Sequence, residues 1–267
     1  MIKDISIGQY IPGDSFIHKM DPRVKILISF IFIINLFIVK NFKGYIFIVA
    51  FIVGAIVISK VSFNYIYKSI KPIFILLLIT AILNVFMTRG SGEPLFAWKF
   101  IKIYSEGLRL AIFMIIRLVL LIVGTSLLTL TTSPIQLTDG IEKLLNPFKK
   151  LGLPAHELAM MMTIALRFIP TLIDETDKIM KAQMARGADF ESGGIIDKAK
   201  NLIPLLVPLF ISSFRRADEL AMAMEARCYR GGEGRTRMKQ LQFTYRDSVA
   251  TILTGALVTI SVWSRFW

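Results

Sequence analysis

The chain has 267 residues, 54% of them hydrophobic, with a mean hydropathy of +0.61 and a formal net charge of +13. Soluble domains usually hold roughly 45–50% apolar residues even with glycine counted, so the long apolar runs here mark an integral membrane protein. The positive charge does not point to nucleic acid, because membrane proteins gather Lys and Arg on the cytoplasmic side and no aromatic-interleaved basic domain is left over.

Residues 1–23 carry the turn formers Gly8, Pro12, Gly13 and Asp14. Asp21-Pro22 reads as an N-cap followed by an N1 proline. Val24–Val39 is the first expected span, Lys40–Gly44 a tight turn, and Tyr45–Ser59 the second span. Lys60–Lys71 is a basic, partly aromatic connection, and Pro72–Met87 is the third span. Thr88–Glu106 reads as a loop plus an interfacial aromatic segment. Leu108–Leu130 is the fourth span, interrupted by Arg117. A charge facing lipid costs about 2.5–3.5 kcal/mol on insertion scales, so Arg117 is expected to face the bundle interior or a partner subunit. It is either satisfied by neighbouring carbonyls or a coupling residue.

The character changes at Ser133-Pro134-Ile135-Gln136, a capping-box signal with proline at N1. Ile135–Leu145 is a short amphipathic helix. Pro154 opens a long helix that bends at Pro170 and runs to Gly187, with Asp189–Gly194 turning the chain. Ile195–Cys228 is a second long helix, bent at Pro204 and Pro208 and ended by Gly231, Gly232 and Gly234. Arg235, Arg237, Lys239 and Arg246 form a basic collar before Val249–Val262, the fifth span. The predicted organisation is therefore residues 1–132 as a membrane domain of four spans, 133–246 as a cytoplasmic domain of long amphipathic coupling helices, and 247–267 as a final span. Residues 133–246 carry 17 Lys and Arg, which places that region and the N-terminus in the cytoplasm. The loop 88–109 then lies outside although it holds Arg89, Lys99, Lys102 and Arg109.

The two long helices share a motif. The segment Asp177–Gly187 recurs 41 residues later as Asp218–Cys228, so that Ala182 matches Ala223, Ala185 matches Ala226 and Arg186 matches Arg227. At about 100° per residue, Ile179, Ala182 and Arg186 fall on one face, as do Leu220, Ala223 and Arg227. Asp177 and Asp218 fall on the opposite side, so neither can neutralise its own arginine. Such a tip can enter a partner's groove with its guanidinium leading. One Ala-Arg-Gly alone is an ordinary C-cap on a surface helix; the second copy is what makes the pair informative.

Other chemistry is absent from the sequence. There is no phosphate-cradling Gly-x-x-x-x-Gly-Lys-Ser/Thr loop, no nucleophile elbow and no His-Glu-x-x-His. The single Cys228 excludes a disulfide within the chain, and His18 and His156 lack metal-ligand spacing. No cleavable signal is expected. The expected spans hold no acids for a proton relay, so a self-sufficient ion-driven carrier is not expected.

At these residues the chain resembles the transmembrane T component of energy-coupling factor transporters. The resemblance rests on Ala185-Arg186-Gly187 and Ala226-Arg227-Cys228. It is supported by Gly8–Ser15 before Asp21-Pro-Arg, by Leu130-Thr-Thr-Ser-Pro134 and by Glu225–Gly232. It runs over nearly the whole chain. The second copy departs from the pattern, with Cys228 in place of a glycine, and cysteine enters left-handed backbone space less cheaply. The resemblance implies a non-enzymatic subunit of the bacterial plasma membrane, without cofactor, that links a substrate-binding S component to two ATP-binding-cassette ATPases. Arg186 and Arg227 are then the ATPase-contacting arginines, completed by Ala185, Gly187, Ala226 and Cys228. The cargo implied is a vitamin. The alternatives are a dedicated T component of a cobalt or nickel importer, or a membrane scaffold that merely exposes amphipathic helices.

Overall fold

The computed structural model describes residues 10–39, 41–88, 96–98, 101–190, 194–231 and 240–264. Ten helices are found among them: α1 Pro22–Ile38, α2 Phe42–Ser59, α3 Phe63–Ile70, α4 Phe74–Met87, α5 Ser105–Thr131, α6 Pro134–Leu145, α7 Ala155–Ala185, α8 Ile195–Asn201, α9 Ile203–Ala226 and α10 Tyr245–Trp263. The protein is an all-α membrane protein, with one small addition: β1 Phe96–Trp98 pairs antiparallel with β2 Ile101–Ile103. That hairpin stands where the sequence suggested a loop and an interfacial segment. Phe96 and Trp98 stand opposite Ile103 and Ile101, aromatic and β-branched types that suit a strand pair.

The chain divides into two compact units. The first to be described comprises Gly8–Gly140 with Leu241–Trp267 and holds α1 to α5 and α10. Asp21 caps α1 by accepting the Arg23 N–H at 2.9 Å, with Pro22 at N1 as the sequence indicates. α2 begins at Phe42, so the expected turn through Gly44 is shorter than read: Phe42, Lys43 and Gly44 are already helical. The connection 60–71 also contains a helix, α3, which buries Ile66 and exposes Phe63, Tyr65 and Tyr67. α4 and α5 form an antiparallel pair, closed where Gly107 lies so near the Asn84 and Val85 carbonyls that a Cβ would stand 3.0 Å from one of them.

α1 and α10 run parallel. Asp247 Oδ1 accepts the Asp21 N–H at 2.8 Å, and fourteen residues along both helices Asn35 Nδ2 donates to Ser261 Oγ at 3.0 Å. Asn41 Nδ2 adds a bond to the Ser264 carbonyl at 3.0 Å. The core between the helices is apolar, centred on Phe32, Leu36, Ile48, Ile52, Leu120 and Val123. The outward faces are apolar too: Phe30, Phe37, Ile46, Val57, Leu76 and Ile252 are all exposed, as a lipid-facing surface requires. By length and composition, four stretches can cross a membrane: Phe42–Ser59, Phe63–Met87, Ser105–Thr131 and Ala155–Ala185. The last has a mean hydropathy of 1.3 against 2.2 to 2.5 for the others. α1, with 17 residues, falls just short.

The segment before α1 folds back on itself. Ile11 N–H reaches the Leu130 carbonyl at 3.0 Å, and His18 sits between Ser15 Oγ at 2.6 Å and the Ile11 carbonyl at 3.0 Å. With a carbonyl facing Nε2, that nitrogen carries the proton and Nδ1 accepts from Ser15. Burial holds the His18 pKa below its usual value.

The second unit comprises Ile141–Gln240. α7 is one continuous helix of 31 residues with Pro170 inside it. The expected long helix from Ile195 is instead two, broken at Leu202 ahead of Pro204. Pro204 stands in the first turn of α9 and lacks the N–H that would continue the ladder from the turn before. The capping box at Ser133 is present, with Gln136 N–H to Ser133 Oγ at 3.3 Å and Ser133 N–H to Gln136 Oε1 at 3.2 Å. Arg235, Arg237 and Lys239 of the expected collar lie outside the described residues.

Candidate functional site

α7 and α9 pack antiparallel. Gln183 near the end of α7 donates to the Pro204 carbonyl near the start of α9, at 3.3 Å, and Ile164 and Met224 share a cavity of about 240 Å³. Between these ends Arg216 donates to Glu175 at 2.8 Å, and Ser212 Oγ donates to the other carboxylate oxygen at 3.0 Å. The Arg216 guanidinium also lies 5.9 Å from the Phe168 ring. Glu175 and Arg216 are themselves 41 residues apart, the offset of the repeated motif. Equivalent positions of the two repeats therefore meet where the helices pack, the arrangement of a local pseudo-two-fold.

The motif arginines stand at matching distances from that point. Arg186 lies eleven residues beyond Glu175 and Arg227 eleven beyond Arg216, about 16 Å of helix each at 1.5 Å per residue. Because the helices are antiparallel, the two tips point away from one another, up to about 33 Å apart by the same rise.

Both helices end in the same hydrogen-bonded cap. Arg186 is the C-cap of α7 with φ −91° and ψ 5°, and Arg227 the C-cap of α9 with φ −91° and ψ 15°. At the first tip Gly187 N–H reaches the Met184 carbonyl and Ala188 N–H the Gln183 carbonyl, both at 3.0 Å. At the second, Cys228 N–H reaches Glu225 at 2.8 Å and Tyr229 N–H reaches Met224 at 3.0 Å. These are the paired 5→2 and 6→1 bonds of a Schellman motif, which needs a left-handed residue just after the cap. Gly187 supplies φ +92°, and Cys228 supplies φ +55°. The sequence reading that α9 would run on to Gly231-Gly232 is thus corrected. The two backbone hydrogen bonds hold Cys228 in the conformation that glycine occupies in the first copy. Ala185, Arg186, Gly187, Ala226, Arg227 and Cys228 are all exposed. Among the described residues neither Arg186 nor Arg227 has an ion pair or a side-chain hydrogen bond. Among the described residues the geometry offers two unpartnered guanidiniums on capped helix ends.

Arg117 is placed differently. Its Nε donates to Tyr45 Oη at 2.9 Å and a terminal nitrogen to the Val39 carbonyl at 3.4 Å, with the Phe37 ring 5.5 Å away. Val39 is the C-cap of α1, and Tyr45 Oη in turn donates to the Leu36 carbonyl at 3.4 Å. The cation therefore sits at the carbonyl end of α1, where its charge is favoured and the terminal carbonyls need donors.

A second polar group escaped the sequence reading. Lys25 is buried and gives all three ammonium protons to oxygens: the His18 and Thr131 carbonyls at 3.2 and 3.0 Å and Thr132 Oγ1 at 3.2 Å. Asp247 is also buried, and its second oxygen accepts the Thr244 N–H at 2.7 Å to close a capping box on α10. Asp21 binds Arg23 through both oxygens, at 2.6 and 3.0 Å. The signal available in the sequence was a lysine at the second position of an apolar run. Position alone does not distinguish such a lysine from one that snorkels to the interface.

The family model described as cobalt transport protein, CbiQ, matches residues 13–238. The chain belongs to this family. Among its relatives, the energy-coupling factor transporter transmembrane protein EcfT of Clostridium kluyveri is 73% identical over 267 residues, covering 100% of this chain and 99% of that protein. The EcfT of Bacillus subtilis is 50% identical over 261 residues, 97% of this chain and 98% of the relative. That of Lactococcus lactis subsp. cremoris is 46% identical over 266 residues, 99% of each. At this identity over full length, the protein is a transmembrane component of an energy-coupling factor type transporter.

Proposed function

We propose that this CbiQ-family chain is the coupling subunit of an importer. In this reading Arg186 and Arg227 dock on two ATP-binding-cassette ATPases, and ATP-driven motion passes through α7 and α9 to a membrane-embedded substrate-binding component for vitamin uptake. The observation that carries it is the identity of the two tips. Two helices from one repeat end in the same cap, at the same distance from their crossing, each with an exposed arginine that has no partner in its own unit among the described residues. Such a pair suits two equivalent grooves lined by carboxylates or carbonyls. Residues 133–246 are then cytoplasmic and the bilayer is crossed five times, by α1, α2, α4, α5 and α10.

The test is a pull-down of the ATPases with purified Arg186→Ala, Arg227→Ala and double variants, together with substrate uptake in vesicles. Each single change should weaken docking, and the double change should nearly abolish docking and uptake. Full ATPase capture and uptake by the double variant would overturn the reading and favour a scaffold. The family description as cobalt transport protein favours a second cargo, a divalent metal; uptake assays with labelled cobalt and with vitamins separate the two.

A further inference from the structure

A groove of about 270 Å³ opens between α1, α2, α5 and α10 in the unit Gly8–Gly140 with Leu241–Trp267. Its walls include Ile28, Phe51, Gly54, Ile58, Leu128 and Leu253. Apart from Ser29, the polar groups that border it are occupied elsewhere. Lys25 gives its three protons to protein oxygens, Thr131 Oγ1 donates to the Leu127 carbonyl at 2.7 Å, and Thr254 Oγ1 donates to the Ala250 carbonyl at 2.8 Å. Along α1 the groove extends from Lys25 to Phe32, about 10 Å at 1.5 Å per residue. One leaflet of the hydrocarbon core is about 15 Å deep. The groove is thus shorter than one leaflet is deep. Apolar walls over this length suit an acyl chain.

The mouth supplies a charge. Phe16 lines the groove, and the Arg246 guanidinium lies 6.0 Å from the Phe16 ring and 5.5 Å from the Tyr245 ring. Among the described residues Arg246 meets no carboxylate. Its neighbour Asp247 points inward to the Asp21 and Thr244 amides, and Asp21 is taken by Arg23. The end of α2 with Lys60, and α3 with Lys68, lie at the same face, because α2 returns antiparallel to α1. Cationic side chains at a membrane face attract anionic headgroups.

We propose that this groove and Arg246 form a binding site for one anionic glycerophospholipid, with an acyl chain between α1 and α2 and the phosphate on Arg246. The site is independent of the coupling reading: it involves neither arginine tip. Native mass spectrometry of the full-length protein in mild detergent tests it, titrating phosphatidylglycerol against phosphatidylcholine. The wild type should hold one phosphatidylglycerol with about a fivefold preference, the factor expected for one cation at the membrane surface. Arg246→Gln should bring the two lipids level. Gly54→Phe should lower retention of both, because a Cβ at Gly54 meets nothing within 4 Å and the ring projects into open space. Should Gly54→Phe disturb folding, Arg246→Gln, at a partly exposed surface site, still decides the headgroup claim. Equal binding of the two lipids by the wild type, or an unchanged preference in Arg246→Gln, would overturn the proposal. So would efficient cross-linking of Ile58→Cys to a partner subunit, which would show a protein occupying the groove.

Discussion

At the scale of single residues, the repeat was legible but its ends were not. Ala185-Arg186-Gly187 reads directly as a C-cap, because glycine takes left-handed backbone without cost. Cys228 concealed the second cap: left-handed backbone costs a residue with a Cβ roughly 1–2 kcal/mol, and a local rule then favours a later stop. What overrides it is the pair of bonds from Cys228 and Tyr229 back into the last turn. Cys228→Gly should therefore strengthen this cap by about 1 kcal/mol and slow exchange of the Tyr229 amide about fivefold. Gly187→Ala should speed exchange at Ala188 by a similar factor. Hydrogen exchange read at single amides checks both, and equal rates in variant and parent would refute the strain at 228. The arginines should also be irreplaceable by lysine. A planar fork of five donors differs from a point charge, so Arg186→Lys and Arg227→Lys should restore only part of the ATPase docking that the alanine variants lose. Loss of one partner from a buried charge pair typically costs about 2–5 kcal/mol, which pull-down titration resolves easily. Full rescue by both lysines would show that charge alone suffices.

At the scale of elements, apolar runs located the helices of the membrane unit to within a few residues, and Asp21-Pro22 and Ser133–Gln136 marked their starts. The misses share a cause. α3 is only eight residues long and aromatic-rich, and β1 and β2 have three residues each; neither length carries a clear period. The break at Leu202 depends on which of two prolines ends the ladder. Polar side chains between helices were legible only as anomalies. Arg117 was flagged because it interrupts a span, yet its role follows from Tyr45 and Val39, which lie 72 and 78 residues away in sequence. Arg117→Leu should leave the Val39 carbonyl and Tyr45 Oη short of a donor in an apolar setting, at about 1–3 kcal/mol. The expected outcome is a lower unfolding midpoint in detergent, with tip docking retained by protein that remains folded. Tyr45→Phe should produce a smaller shift in the same direction. An unchanged midpoint for Arg117→Leu would show that these bonds do not support the α1 end.

At the scale of the whole molecule, hydropathy selects four candidate crossings, and parity supports the proposed five. Composition selects α7 as long and apolar enough, and leaves out α1 and α10. The hydrogen bonds constrain the path. Thr131 at the end of α5 and Asp247 at the start of α10 both meet the N-terminal end of α1, through Lys25 and Asp21. The chain between them therefore leaves and rejoins the same face, so it crosses the bilayer an even number of times. A crossing by α7 needs a return crossing by α9, which carries Arg215, Arg216, Asp218 and Glu219 in its second half. Four charges at about 2.5–3.5 kcal/mol each in lipid make that return prohibitive. This favours the proposed topology, in which the region between them makes no crossing and the chain makes five. On that proposal the basic region that contains both tips lies in the cytoplasm. In a Cys228→Ser background, single cysteines at Lys43 and Lys200, both exposed, report opposite sides. An impermeant maleimide added to intact cells should label position 43 and spare position 200 until the membrane is opened. Labelling at position 200 in sealed cells would reverse the orientation, and with it the access of any cytoplasmic ATPase to Arg186 and Arg227.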